Sequence, residues 1–139
     1  MPRALLVMLA AAFVISCGSA AGGSSGPEVV ASDADNGKTV NLHVGDRLVV
    51  KLASTYWTIA ESSDPRVLKT SSPAVVSPQP TGCVPGAGCG FAIATFEAVA
   101  PGSAEVTASR TSCGEAMRCV GDAGSFRVSI VVTARDAAA

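Results

Sequence analysis

Residues 83–119, CVPGAGCGFAIATFEAVAPGSAEVTASRTSCGEAMRC, decide the fold class. Phe91–Ala100 is rich in β-branched and aromatic residues and reads as a strand. Pro101-Gly102 is a turn signal, and Ala104–Ser109 alternates apolar with polar residues as a returning strand. The pattern predicts a β-hairpin with a cysteine loop at each outer end. In the first strand Phe91 and Ile93 share one face while Phe96 and Ala98 share the other, which predicts a bulge near Thr95. A reversal at Pro101-Gly102 places both cysteine loops at one end of the sheet.

Cys83 and Cys89 stand six apart, as do Cys113 and Cys119. Glycines flank each pair (Gly82, Gly86, Gly88 and Gly90; then Gly114 and Gly121) and let the chain fold back on itself. Local pairing, Cys83–Cys89 and Cys113–Cys119, is expected, each bridge contributing roughly 2 kcal/mol in the chain-entropy model. Crossed pairs between the loops stay open, because both loops lie at the same end. A four-cysteine zinc site fits less well, since its usual ligand spacing is shorter.

Working outward, Val40, Leu42 and Val44 alternate with Asn41 and His43. Gly45-Asp46 is a turn signal, and Leu48, Val50 and Leu52 alternate again. This predicts a second hairpin with one buried face. Tyr56–Ala60 reads as a further strand with Trp57 and Ile59 turned to the core. Val67-Leu68 is a short candidate strand. Residues 71–80 carry three prolines, so at most an edge strand runs through them. Phe126, Val128, Ile130 and Val132 mark the last strand. About seven short strands with frequent turn signals fit an all-β, immunoglobulin-like antiparallel β-sandwich over residues 38–135, with a frayed tail at 136–139.

The N-terminus reads as an export signal. Arg3 precedes the apolar run Ala4–Ile15, which is too short for a comfortable membrane span. The following Val14-Ile15-Ser16-Cys17 resembles the lipobox of bacterial lipoproteins. That resemblance implies a signal peptide over 1–16, cleavage before Cys17, its lipidation, and anchoring in the cell envelope through the lipid. Of five cysteines, lipidation removes one and leaves an even number for disulfides. Residues 17–37 then form a flexible tether, with about 25 Å of r.m.s. reach for roughly twenty residues. A net charge of −1 and only 4% aromatic residues exclude the basic surface and stacking platforms of a nucleic-acid binder.

Several segments are similar to the chagasin family, the immunoglobulin-like inhibitors of papain-type cysteine proteases. They are Val44-Gly45-Asp46 with Leu48, Val50 and Leu52; Tyr56-Trp57; Gly86-Ala87-Gly88-Cys89-Gly90; Phe96-Glu97-Ala98 with Pro101-Gly102; Ser109-Arg110; and Phe126-Arg127-Val128. The resemblance spans Val40 to Val132. It implies a non-catalytic protein whose loops at one end wedge into a protease cleft, with Gly86, Gly88, Gly90 and Arg110 at matching loop positions. Two family motifs differ here: Ala53-Ser54-Thr55 stands where an Asn-Pro-x-Thr-Gly loop is usual, and Thr111-Ser112-Cys113 follows Arg110 in place of Pro-Trp. Independently of the family, disulfide-ordered loops lower the entropic cost of binding. That makes Glu115, Met117, Arg118, Val84 and Pro85 candidate contact residues. The competing reading is a non-catalytic envelope module that binds another protein through the same end. His43 is the single histidine, and no nucleophile motif or metal-ligand cluster accompanies it, so neither an enzyme nor a cofactor is expected.

Overall fold

The computed structural model describes residues 26–78 and 81–136. The strands are β1 (Glu28–Ala31), β2 (Thr39–His43), β3 (Arg47–Ala53), β4 (Thr58–Ile59), β5 (Leu68–Pro78), β6 (Gly90–Ala98), β7 (Gly102–Ser109), β8 (Ser112–Gly114), β9 (Met117–Arg118) and β10 (Ser125–Thr133). Two four-stranded sheets, ordered β1-β3-β6-β5 and β2-β10-β7-β4, face each other, and β8-β9 forms a small ribbon beside them. The result is an immunoglobulin-like β-sandwich. Period-two alternation fills its core: Leu48, Val50 and Leu52 from β3, Phe96 from β6, Val106 from β7, and Val128 and Ile130 from β10 are buried. Trp57 and Ile59 also face inward, as their alternation predicts.

Neither expected hairpin forms. β2 pairs in parallel with β10, whereas β3 pairs with β1 and β6. β6 and β7 likewise lie in opposite sheets. In both cases the tight connection carries the chain across the sandwich rather than along one sheet. Gly45, at φ 96°, makes the first of these corners. Each strand still presents its apolar face to the core, so the alternation is satisfied by either arrangement. The expected bulge near Thr95 is also absent: β3 and β6 pair in continuous register from Arg47–Glu97 to Ala53–Phe91. Ala92, Ala94, Phe96 and Ala98 all point inward, while Phe91 and Ile93 lie on the outer face. The irregularities fall instead in the proline-bearing β5, which is an edge strand.

Residues 28–31, expected within the tether, form β1, and Ser32–Asp35 closes a short 3-10 turn through Asp35. The ordered chain therefore begins before residue 38. The signal segment, Cys17 and the first part of the expected tether, through residue 25, lie outside the described residues.

The sandwich has two distinct poles. β1 starts opposite Arg47 and β10 ends opposite His43, so the chain comes in and leaves at one pole. Both cysteine loops occupy the other. At the first pole the buried Asp46 accepts a hydrogen bond from the His43 amide at 2.9 Å and pairs with the Arg135 guanidinium. Asp46→Ala is expected to cost about 2 kcal/mol, since a charge-assisted bond is lost and a half-buried amide is orphaned. Urea denaturation checks this; a loss no larger than that of Arg135→Ala would show that the amide bond is immaterial. In the neighbouring Ser62–Val67 loop, hydrogen bonds from Arg66 hold the Asp64 carboxyl below its ordinary range, and the guanidinium is correspondingly raised.

Candidate protein-binding site at the disulfide loops

At the far pole the chain closes two small loops, bridged Cys83–Cys89 and Cys113–Cys119. The pairing is local in both, so the crossed alternatives do not occur. Among the described residues no group of three or more His, Cys, Asp or Glu is placed to hold a metal ion.

The short segment after β3 is zipped along the first loop. Ser54, at φ 121°, donates its amide to the Gly90 carbonyl, and Thr55 donates to Gly88, each at 2.9 Å. The Tyr56 hydroxyl donates to the Gly86 carbonyl at 2.6 Å. Gly88, at φ 67°, lies beneath the Tyr56 ring, where a Cβ would sit 2.4 Å from Cε2. Tyr56 thus props the glycine loop from below, a role that depends on a contact thirty residues away and leaves no local trace in the sequence.

The second loop is the β8-β9 ribbon, turned at Glu115-Ala116 and clasped by the Cys119 amide, which donates to Thr111 at 3.0 Å. Glu115, Met117 and Arg118 are exposed at its tip. A Cβ on Gly86 would lie 3.7 Å from Glu115 Cγ, so the two loop tips touch. A shallow cleft of about 460 Å³ opens beside them, lined by Tyr56, Val76, Val84, Pro85 and Gly86 among others. Val76 stands opposite the inward-facing Ala92 of β6, yet it stays 52% exposed. Val76 was not among the candidates that the sequence nominates, because its exposure depends on what packs over the edge strand and not on its own neighbours in sequence.

The candidate contact residues therefore divide. Gly86, Glu115, Met117 and Arg118 project from this pole together with Val84 and Pro85. Gly88 is half-buried under Tyr56, and Gly90 is the first residue of β6. Arg110 is turned inward: its guanidinium stacks on the Trp57 ring at 4.3 Å, and its Nε donates to the Ala123 carbonyl at 3.0 Å. That stack fastens the second loop to the buried Trp57, whose Nε1 donates to Ala53 at 3.2 Å. Arg110→Ala is expected to lower stability by about 1–2 kcal/mol, from a cation–π contact and one hydrogen bond. Thermal unfolding followed by Trp57 fluorescence measures it; an unchanged emission maximum and midpoint would remove Arg110 from this role.

No protein-family model and no curated protein sequence matches the chain. Solved structures do. The crystal structure of the cysteine protease inhibitor EhICP2 from Entamoeba histolytica superposes with a TM-score of 0.53 at 9% identity, covering 77% of this chain and 96% of that one. The solution structure of amebosin superposes with a TM-score of 0.50 at 14% identity, covering 78% of this chain and all (100%) of that one. At such identities the likeness is one of fold: the chain is a β-sandwich of the same architecture as these two proteins.

Proposed function

We propose that this chain is an exported, lipid-anchored, non-catalytic inhibitor of papain-like cysteine proteases, chagasin-like in its frame, that inserts its disulfide-loop pole into the protease cleft. The observation that carries the proposal is the convergence of three segments at that pole: Ser54–Tyr56, the Cys83–Cys89 loop and the β8-β9 ribbon, joined through Tyr56 to Gly86 and Gly86 to Glu115. A narrow edge of loops held by disulfides and by a tyrosine prop suits a groove, because little ordering is left to do on binding. The shared fold with a cysteine protease inhibitor supports the same reading. Anchoring rests on the Cys17 lipobox, and the envelope location follows from it.

Titration of papain-like proteases with the full chain, disulfides intact, tests the activity. Inhibition that is lost when Glu115, Met117 and Arg118 are replaced together is expected. Absence of inhibition by correctly folded protein would reject it. A second reading, a non-catalytic envelope module with a different protein partner, is favoured by one observation: Arg110 is committed to Trp57 and does not project toward a cleft. Under that reading the same pole binds its partner while protease activity is untouched. Incubation with radiolabelled palmitate, with and without Cys17→Ser, tests the anchor: the label is expected only on the wild type.

A further inference from the structure

The outer face of the β1-β3-β6-β5 sheet has no use in the reading above. Its residues fall into rows across the strands. The register places Lys69 beside Glu97, Glu97 beside Arg47, and Arg47 beside Glu28. All four are exposed, and Arg47 and Glu28 approach to 3.7 Å. The row therefore reads positive, negative, positive, negative from one edge of the sheet to the other. Above it apolar residues share the face with Thr95, Ser72 and Lys51. Val30 lies beside Val49 and Ile93 beside Val75; Phe91 follows, with the Lys51 ammonium 4.2 Å over its ring. Val30 is 53% exposed, Val75 55% and Phe91 40%. These are large apolar side chains gathered on one side of a sheet, which marks a contact surface.

We infer that this face pairs with the same face of a second copy of the chain, about a two-fold axis running along the strands. The charge row selects that occupant. A two-fold along the strands reverses the order of the row in the partner copy. Lys69 then meets Glu28 of the other copy and Glu97 meets Arg47, so every facing pair is opposite in charge. Self-complementarity of this kind is what an isologous interface requires. In the rows above it the same reversal sets Val30 over Ser72 of the other copy, Val49 over Thr95 and Ile93 over the Lys51 stem.

The same axis keeps both disulfide-loop poles pointing one way and both chain starts the other. Two copies held at one surface can therefore pair without turning either around. Four strands about 4.8 Å apart, over roughly seven residues at about 3.3 Å each, give a face of roughly 400 Å² in plan. That is small beside the ~800 Å² per partner of a standard stable interface. The dimer is accordingly weak and concentration-dependent. The inference does not depend on protease inhibition.

Sedimentation velocity of the full chain in mild detergent, over a range of concentrations, tests it. The wild type is expected to shift from monomer to dimer. By symmetry Arg47→Glu creates two like-charge contacts across the interface and is expected to weaken association by at least about tenfold. Adding Glu97→Arg to that variant restores both cross-contacts. Within one copy the double swap puts like charges side by side, so recovery of the dimer can come only from contact between copies. Val75→Glu is expected to weaken the dimer as well. A wild type that stays monomeric overturns the inference and leaves the face to a different protein. A dimer indifferent to both Arg47→Glu and Val75→Glu overturns it too, since the contact would lie elsewhere.

Discussion

Phe96→Ala is expected to remove about 3–5 kcal/mol of stability, a large part of the roughly 5–15 kcal/mol that holds a typical domain together. Phe96 is fully buried and, among the described residues, is the largest side chain to be so. It stands on β6 opposite Leu48 of β3. The other inward residues of its strand, Ala92, Ala94 and Ala98, are small. None of them can swing into the vacated space, so the gap persists instead of collapsing. Phe96→Leu retains most of the volume and is expected to cost about 1–1.5 kcal/mol. Urea denaturation with a common slope compares the two. A loss below about 1 kcal/mol for the alanine variant would mean that the sheets close over the gap.

Gly88→Ala is the second large effect, and it strikes the candidate site directly. A left-handed backbone costs an L-residue roughly 1–2 kcal/mol. The added methyl would also press into the Tyr56 ring, with 2.4 Å to Cε2 and 2.5 Å to Cδ2. Overpacking of this kind costs about 1–3 kcal/mol, so a total of about 2–5 kcal/mol is expected. The ring must move, and its hydroxyl then loses the Gly86 carbonyl. The tyrosine's proton resonances report that movement directly, and any partner affinity of this pole should fall with it. Gly82→Ala is the control. Its φ of 78° carries the backbone cost, but nothing lies within 4 Å of the new methyl. If the two variants behave alike, the tyrosine prop contributes nothing.

Which face of a strand is buried was legible in the sequence; which strand it pairs with was not. The inward set of β10 (Phe126, Val128, Ile130 and Val132) and that of β3 follow from alternation alone. Alternation carries no information about neighbours, however. A tight turn such as Gly45-Asp46 serves equally as a hairpin or as a corner between sheets, because both put the apolar face on the core. β6 misled for a related reason. Its larger apolar residues at 91 and 93 lie on the outer face, whereas the core takes alanines at 92 and 94. Size suggested a bulge where the register is continuous. Glu28–Ala31 is too short to stand out from its surroundings, and it becomes a strand only because β3 offers an edge. At the loop pole, local cysteine pairing could be read from spacing. The inward turn of Arg110 could not, since it answers to Trp57, far away in sequence.

Each disulfide begins and ends within its own loop. The sequence between the two sulfurs neither fills the core nor registers a strand of either large sheet, and in the first loop it meets the sandwich through the Gly86 and Gly88 backbone. Apart from Gly86 and Gly88, positions there escape the limits of volume and polarity that bind the core. Over evolutionary time the two kinds of position drift under separate constraints, and the loop sequences can change without refolding the sandwich. Such a molecule keeps its architecture long after its letters have changed, and architecture at 9% and 14% identity is what joins it to its structural neighbours.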